Sequence, residues 1–100
     1  MKNNPELIVM LTHHDRTVTD AYSIFDQCKV SKAKYWGLKE AGLPLGQMKE
    51  LYAHMKACGK TTAMEVVAYS EMECLKGAEM AVACGCDMLK ILGICHCLLA

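Results

Sequence analysis

Four apolar runs set the rhythm of this chain. They begin near Leu7, Tyr35, Thr62 and Met88, at intervals of about 27 residues, which is close to the length of a strand and the helix that follows it. Between the runs the apolar positions recur with helical spacing: Ala21, Ile24, Phe25 and Cys28, then Leu45, Met48, Leu51, Tyr52 and Met55, then Met72, Leu75, Ala78 and Val82. Each set predicts a helix that buries one apolar face. The runs predict strands over Glu6–Leu11, Lys34–Leu38, Thr62–Val67 and Met88–Leu92. A strand, helix, strand order makes the strands parallel, because each is followed by a crossover.

Local punctuation fits these elements. Ser70 followed by Glu73 has the form of a capping box, Thr17 or Thr19 can cap the first helix, and Pro44 suits the first turn of the second. The tripeptides Ala57-Cys58-Gly59 and Ala83-Cys84-Gly85 repeat at two helix ends, where glycine supplies the left-handed stop. No linker interrupts the series, so residues 1–100 are expected to form a single α/β domain of about four βα units.

Length sharpens that picture. A closed (β/α)8 barrel takes about 250 residues, so 100 residues correspond to half of one. A curled sheet of four parallel strands leaves two open edges and a bare inner face. The half-barrel is therefore expected to be completed by oligomerisation, most simply as a homodimer.

Composition narrows the classes of partner. Eleven basic and eleven acidic residues cancel, which leaves no field to draw in nucleic acid. The apolar run Leu7–Leu11 is too brief for a signal-peptide core. Glu79, Asp87 and Lys90 break the stretch 78–100, so no membrane span is expected. Seven cysteines, an odd number without an export signal, fit reduced thiols in the cytoplasm better than a disulfide scaffold. Cys84, Cys86, Cys95 and Cys97 have zinc-ligand chemistry but not the two-residue knuckle spacing, and filling apolar space is the preferred role. No glycine-rich dinucleotide fingerprint or phosphate loop is present. Neither a cofactor nor a metal is expected.

The candidate chemistry lies at the carboxyl ends of the strands, where barrels and doubly wound sheets alike gather functional groups. The first strand delivers Thr12-His13-His14-Asp15-Arg16 and the second Lys39 and Glu40, while the third carries Glu65 within it. If Trp36, Leu38, Met64 and Val66 face the helices, alternation places Lys39, Glu65 and Lys90 on the other side of the sheet. Charges there are costly unless paired, so these three are expected to form a network, either purely structural or catalytic. In the catalytic reading a lysine of lowered pKa acts as Schiff-base nucleophile or general base, and Glu65 moves protons. One of His13 and His14, oriented by Asp15 or Glu65, is a second acid–base candidate; neighbours on an extended chain point to opposite sides, which weakens a shared metal.

His13-His14-Asp15, Trp36-Gly37-Leu38-Lys39-Glu40 and Met64-Glu65-Val66-Val67 look like strand-end motifs, and from Leu7 to about Leu92 the chain resembles the N-terminal half of the phosphate-binding (β/α)8 (TIM) barrels, among them sugar-phosphate isomerases and lyases and class I aldolases. The resemblance implies a lyase or isomerase acting on a small phosphorylated or carboxylated carbonyl compound. Such barrels commonly bind phosphate through loops after strands seven and eight, for which the resemblance, ending near Leu92, supplies no counterpart. The alternative is a non-catalytic truncated barrel fragment, or a small binding or assembly module, in which the same charges only hold the sheet together.

Overall fold

The computed structural model describes residues 7–93. Its elements follow the order β1 (Ile8–Met10), β2 (Thr12–His13), β3 (Arg16–Thr17), α1 (Ala21–Cys28), β4 (Tyr35–Lys39), α2 (Leu45–Ala57), β5 (Thr61–Val67), α3 (Glu71–Cys84) and β6 (Met88–Leu92). Strands β1, β4, β5 and β6 form one parallel sheet in sequence order, as the spacing of the apolar runs predicts for an α/β chain. None of the described helices is long and apolar enough to cross a membrane.

All three helices contribute to one core on one side of that sheet. Trp36 and Leu38 of β4 and Met64 and Val66 of β5 are buried there with Phe25, Met48, Leu51, Tyr52 and Met55. Phe25 meets Trp36 edge to face, with centroids 5.0 Å apart at 89°. Each such large side chain contributes roughly 1.5–3 kcal/mol by leaving water. The opposite side is uncovered: Ile8, Met88 and Leu92 remain 46 %, 37 % and 36 % exposed.

The helix ends show which local signals win. Ser70 accepts a hydrogen bond from the Glu73 amide at 3.1 Å, and the Glu73 carboxylate accepts one from the Tyr69 amide at 2.7 Å, so the expected capping arrangement forms. Gly59 and Gly85 take positive φ just beyond α2 and α3. Pro44 occupies the N-cap of α2, one residue before the first turn. Asp20 stands at the N-cap of α1 without a side-chain cap bond. Thr17 caps nothing, because its hydroxyl is committed elsewhere, and Thr19 lies before the cap.

Two expectations are corrected. The first strand is shorter than the apolar run and stops at Met10; Thr12 to Thr17 form a separate antiparallel hairpin. In α3 the periodic set Met72, Leu75 and Val82 faces out, at 63 %, 57 % and 80 % exposure, while Gly77, Ala81 and Cys84 face in. Closeness decides this. A Cβ on Gly77 would sit 2.5 and 2.9 Å from the γ-carbons of Val66, so the smallest face of the helix is the one that reaches the sheet.

Gly77→Ala is expected to destabilise the protein by about 1–3 kcal/mol in urea unfolding, despite the roughly 1 kcal/mol of helix propensity that alanine brings. Leu75→Ser on the outer face should stay within about 0.5 kcal/mol. The reverse order would show that the larger apolar residues face the core.

Candidate functional site

The hairpin beyond β1 places the first group of candidates. Thr12 pairs with Thr17 and His13 with Arg16, leaving His14 and Asp15 as a two-residue turn with φ of 53° and 61°. Two successive positive φ values match the right-handed twist of the flanking strands, and histidine and aspartate are among the non-glycine residues that tolerate them. The expected opposite orientation of the two histidines does not hold once the chain turns between them. Their rings meet edge to face, 3.9 Å between centroids, and both side chains are exposed.

Thr17 docks this hairpin onto the end of β4. Its buried hydroxyl accepts from the Lys39 amide at 2.9 Å and donates to the Lys39 carbonyl at 3.0 Å. The Thr17 amide donates to the Ala41 carbonyl at 2.8 Å. Gly42 follows with φ of 118°, and a Cβ there would collide with the Thr17 backbone. Glu40 ties the neighbouring strand end by accepting from the Val67 amide at 2.8 Å. Neither tie is legible in the chain, where Thr12 to Thr17 shows only as a polar run at the end of the first strand.

Lys39, Glu65 and Lys90 stand side by side in register across β4, β5 and β6. The Lys39 ammonium lies 3.2 Å from Glu65 Oε1 and 3.6 Å from Asp15 Oδ1. Its side chain is 7 % exposed, that of Glu65 20 %, and that of Asp15 94 %. Lys90 is exposed and makes no ion pair within 4.0 Å among the described residues. The structure thus gathers Asp15, Lys39 and Glu65 into contact, sets Lys90 beside Glu65 in the sheet, and leaves His13 and His14 on the adjoining hairpin. A hollow of about 210 Å³ adjoins the row, lined by Ile8, Met10, Ala63, Met64, Glu65 and Lys90.

Electrostatics fix the state of Lys39. Burial pulls its amine down, but the hydrogen bond and charge of Glu65, with Asp15 and Glu40 adding, outweigh it and hold the ammonium above the ordinary 10.5. That is the opposite of the lowered value expected for a nucleophilic lysine. The group can attract an oxyanion or polarise a carbonyl oxygen; it is poorly suited to attack one.

Comparison with known proteins adds nothing to this geometry: no protein-family model, no curated protein and no solved structure matches the chain.

Two further groups have different characters. Cys84 and Cys86 stay protonated, the Cys86 thiol being pushed up to about 11 by burial, while Cys95 and Cys97 lie outside the described residues. Cys28, Cys58, Cys74, Cys84 and Cys86 are free thiols. Among the described residues no three histidine, cysteine or acidic side chains converge as metal ligands. On the outer side of the helices, the His54 ring accepts or donates a 2.9 Å bond with Asp26 and stacks on Tyr22, which joins α1 to α2.

Removing the Lys39 cation by Lys39→Met should cost about 1–2 kcal/mol at neutral pH in urea unfolding, discounted from a fully buried pair because its acidic partners keep contact with water. Asp15→Asn should change the stability of the single chain, measured at concentrations low enough to keep it monomeric, by less than about 0.5 kcal/mol. Because the folded-state pKa of Lys39 is raised, its contribution is complete below 10.5 and fades as the pH rises through the folded value. The difference between wild type and Lys39→Met should therefore shrink in strongly alkaline solution; a constant gap would remove the charge as its cause.

Proposed function

We propose that the sheet is half of a (β/α)8-type barrel, completed by association with a second copy, and that the row at its strand ends is the active site of a lyase or isomerase. The substrate class is a small carbonyl compound bearing a carboxylate or phosphate. The observation that carries this reading is the registered row itself. A carboxylate, Glu65, stands beside an amine that its acidic partners hold protonated, Lys39, and beside a second amine, Lys90, which has no ion pair among the described residues. All three lie towards the carboxyl ends of parallel strands, where such sheets place their chemistry.

The roles follow from the environments. Lys90 attracts the anionic group of the substrate. Glu65 takes a proton from the carbon next to the carbonyl; the C–H electron pair moves into a new C=C bond, and the carbonyl oxygen gains negative charge opposite the Lys39 ammonium. On an α-hydroxy carbonyl compound, returning the proton to the former carbonyl carbon while the neighbouring hydroxyl gives up its proton to the first oxygen and becomes the new carbonyl completes an isomerisation; on a β-hydroxy compound, taking the hydroxyl proton instead and breaking the adjacent C–C bond into the same enolate makes a lyase. Asp15 orients Lys39, while His13 or His14 can exchange protons at the rim. A Schiff base, if one forms, belongs to Lys90, because Lys39 is held protonated. Free thiols support a reducing, cytoplasmic setting.

A purely structural reading is favoured by one observation: Lys39 is nearly buried and its backbone is clasped on both sides by Thr17, as a strut would be. In that reading Glu65→Gln loses stability and no ligand binds.

Incubation in deuterated water with a panel of carboxylated and phosphorylated aldehydes and ketones should exchange the proton beside the carbonyl for at least one compound. Glu65→Gln should slow that exchange about a hundredfold or more. Borohydride added to the same mixtures, followed by mass spectrometry, reveals any imine and is expected on Lys90 alone. Absence of both exchange and adduct across the panel would leave the structural reading in place.

A further inference from the structure

Each strand of the parallel sheet brings one charged side chain to the same end: Asp15 from the hairpin beyond β1, Lys39 from β4, Glu65 from β5 and Lys90 from β6. Read across the sheet from β1 to β6, the signs alternate: negative, positive, negative, positive. Inside the chain each step is accounted for, since Asp15 and Glu65 lie 3.6 and 3.2 Å from the Lys39 ammonium and Glu65 stands in register with Lys90. The two outer members have opposite signs: Asp15 lies at the tip of the hairpin beyond β1, and Lys90 on β6 at the far side of the sheet. Asp15 is 94 % exposed, and Lys90 has no ion pair within 4.0 Å among the described residues.

We propose that a second copy of this chain docks edge to edge on the first, β6 of each against β1 of the other, so that Lys90 of each copy pairs with Asp15 of its mate and the charges close into one alternating ring. The inference rests on the half-barrel reading above and specifies its seam. A twofold axis running along the strands keeps all of them parallel and satisfies both open edges of both sheets at once. Pairing like edges would instead bring Lys90 against Lys90 or Asp15 against Asp15.

Apolar groups point the same way. Ile8 at one edge and Met88 and Leu92 at the other are 46 %, 37 % and 36 % exposed in a single chain. The row behind the charges is Met10, Gly37, Ala63 and Met88 in register, large at both edges and small between them. Met10 already leans over Gly37, its sulfur 2.7 Å from where a Cβ would stand. With β6 of each copy against β1 of its mate, Met88 of each copy comes beside Met10 of the other, so the large side chains of the row meet at the two seams and the small ones lie between them. The hollow beside Glu65 and Lys90, about 210 Å³, is also smaller than the roughly 300 Å³ at which small-molecule pockets begin, so a single sheet offers only part of a site.

Sedimentation velocity on the full chain across the micromolar range tests this seam, with circular dichroism to establish that each variant stays folded. The wild type should sediment as a dimer whose dissociation constant rises with salt. Lys90→Gln and Asp15→Asn should each raise that constant about tenfold or more, and the double variant no further than either alone, since both remove the same pair. Ile8→Asp should weaken the dimer at the apolar edge, and Val82→Asp on the outer face of α3 should leave it intact. A monomer at every concentration overturns the proposal; so do additive effects of the two charge variants, or a dimer lost with Val82→Asp but indifferent to Lys90→Gln. A dimer with no turnover removes the proposed chemistry and leaves the seam standing, whereas an active monomer does the reverse.

Discussion

The ammonium of Lys39 ends a central strand at 7 % exposure, where a charge without partners costs several kcal/mol. The parts around it are disposed to meet that demand. Glu65 comes from the adjacent strand in register, and Asp15 comes from a turn that exists only because His14 and Asp15 both accept left-handed φ. Thr17 clasps the Lys39 backbone on both sides, so the hairpin cannot drift without breaking two buried hydrogen bonds. Glu40, the next residue, ties the ends of β4 and β5 together. The charge, the hairpin and the strand ends are thus one mechanical unit, and the residues of the candidate site are positioned by the same contacts that keep the lysine paired.

The two sides of the sheet obey different physics. On the helix side, large side chains close over β4 and β5, and α3 approaches so closely that only Gly77 fits against Val66. On the other side the same alternation delivers Tyr35, Gly37, Lys39, Ala63 and Glu65, a mixture too polar for a dry core and too apolar for an ordinary surface. Such a face is stable when its charges are paired and its apolar residues have something to pack against. The first condition is met at Lys39 within the chain. The second is unmet at Ile8, Met88 and Leu92, so the exposed apolar groups of this face lie at its edges rather than its centre.

Much of this was legible in the chain because it depends on period and type. The spacing of the apolar runs yields the parallel order, and period-two alternation correctly puts Trp36, Leu38, Met64 and Val66 on the helix side, with Lys39 and Glu65 opposite. What was not legible depends on distance and backbone conformation. Periodicity marks Met72, Leu75 and Val82 as a helix face as readily as Gly77, Ala81 and Cys84, and only the approach of α3 to Val66 decides between them. Thr12 to Thr17 reads as the polar end of a strand because its turn lacks the usual asparagine or glycine. Thr17 looks like a helix cap for the same reason that it serves as a clasp: a short hydroxyl side chain bonds whichever backbone groups the fold brings near.

The protonation state of Lys39 also changes what chemistry this scaffold can support. A lysine becomes a nucleophile when desolvation or a neighbouring cation wins over its acidic partners. Here the carboxylates win, because Glu65 lies within 3.2 Å while Lys90, the nearest cation in register, is one strand further on and stands in water. Enclosure by a second sheet would strengthen every one of these interactions, the attractions most of all, since opposite charges are neighbours throughout the row. The same enclosure would deepen desolvation, so Lys39 stays an ammonium suited to stabilising negative charge on oxygen as long as Glu65 and Asp15 remain ionised beside it. A Lys39 held as an ammonium favours the proposed proton transfer through Glu65 over imine formation at that lysine.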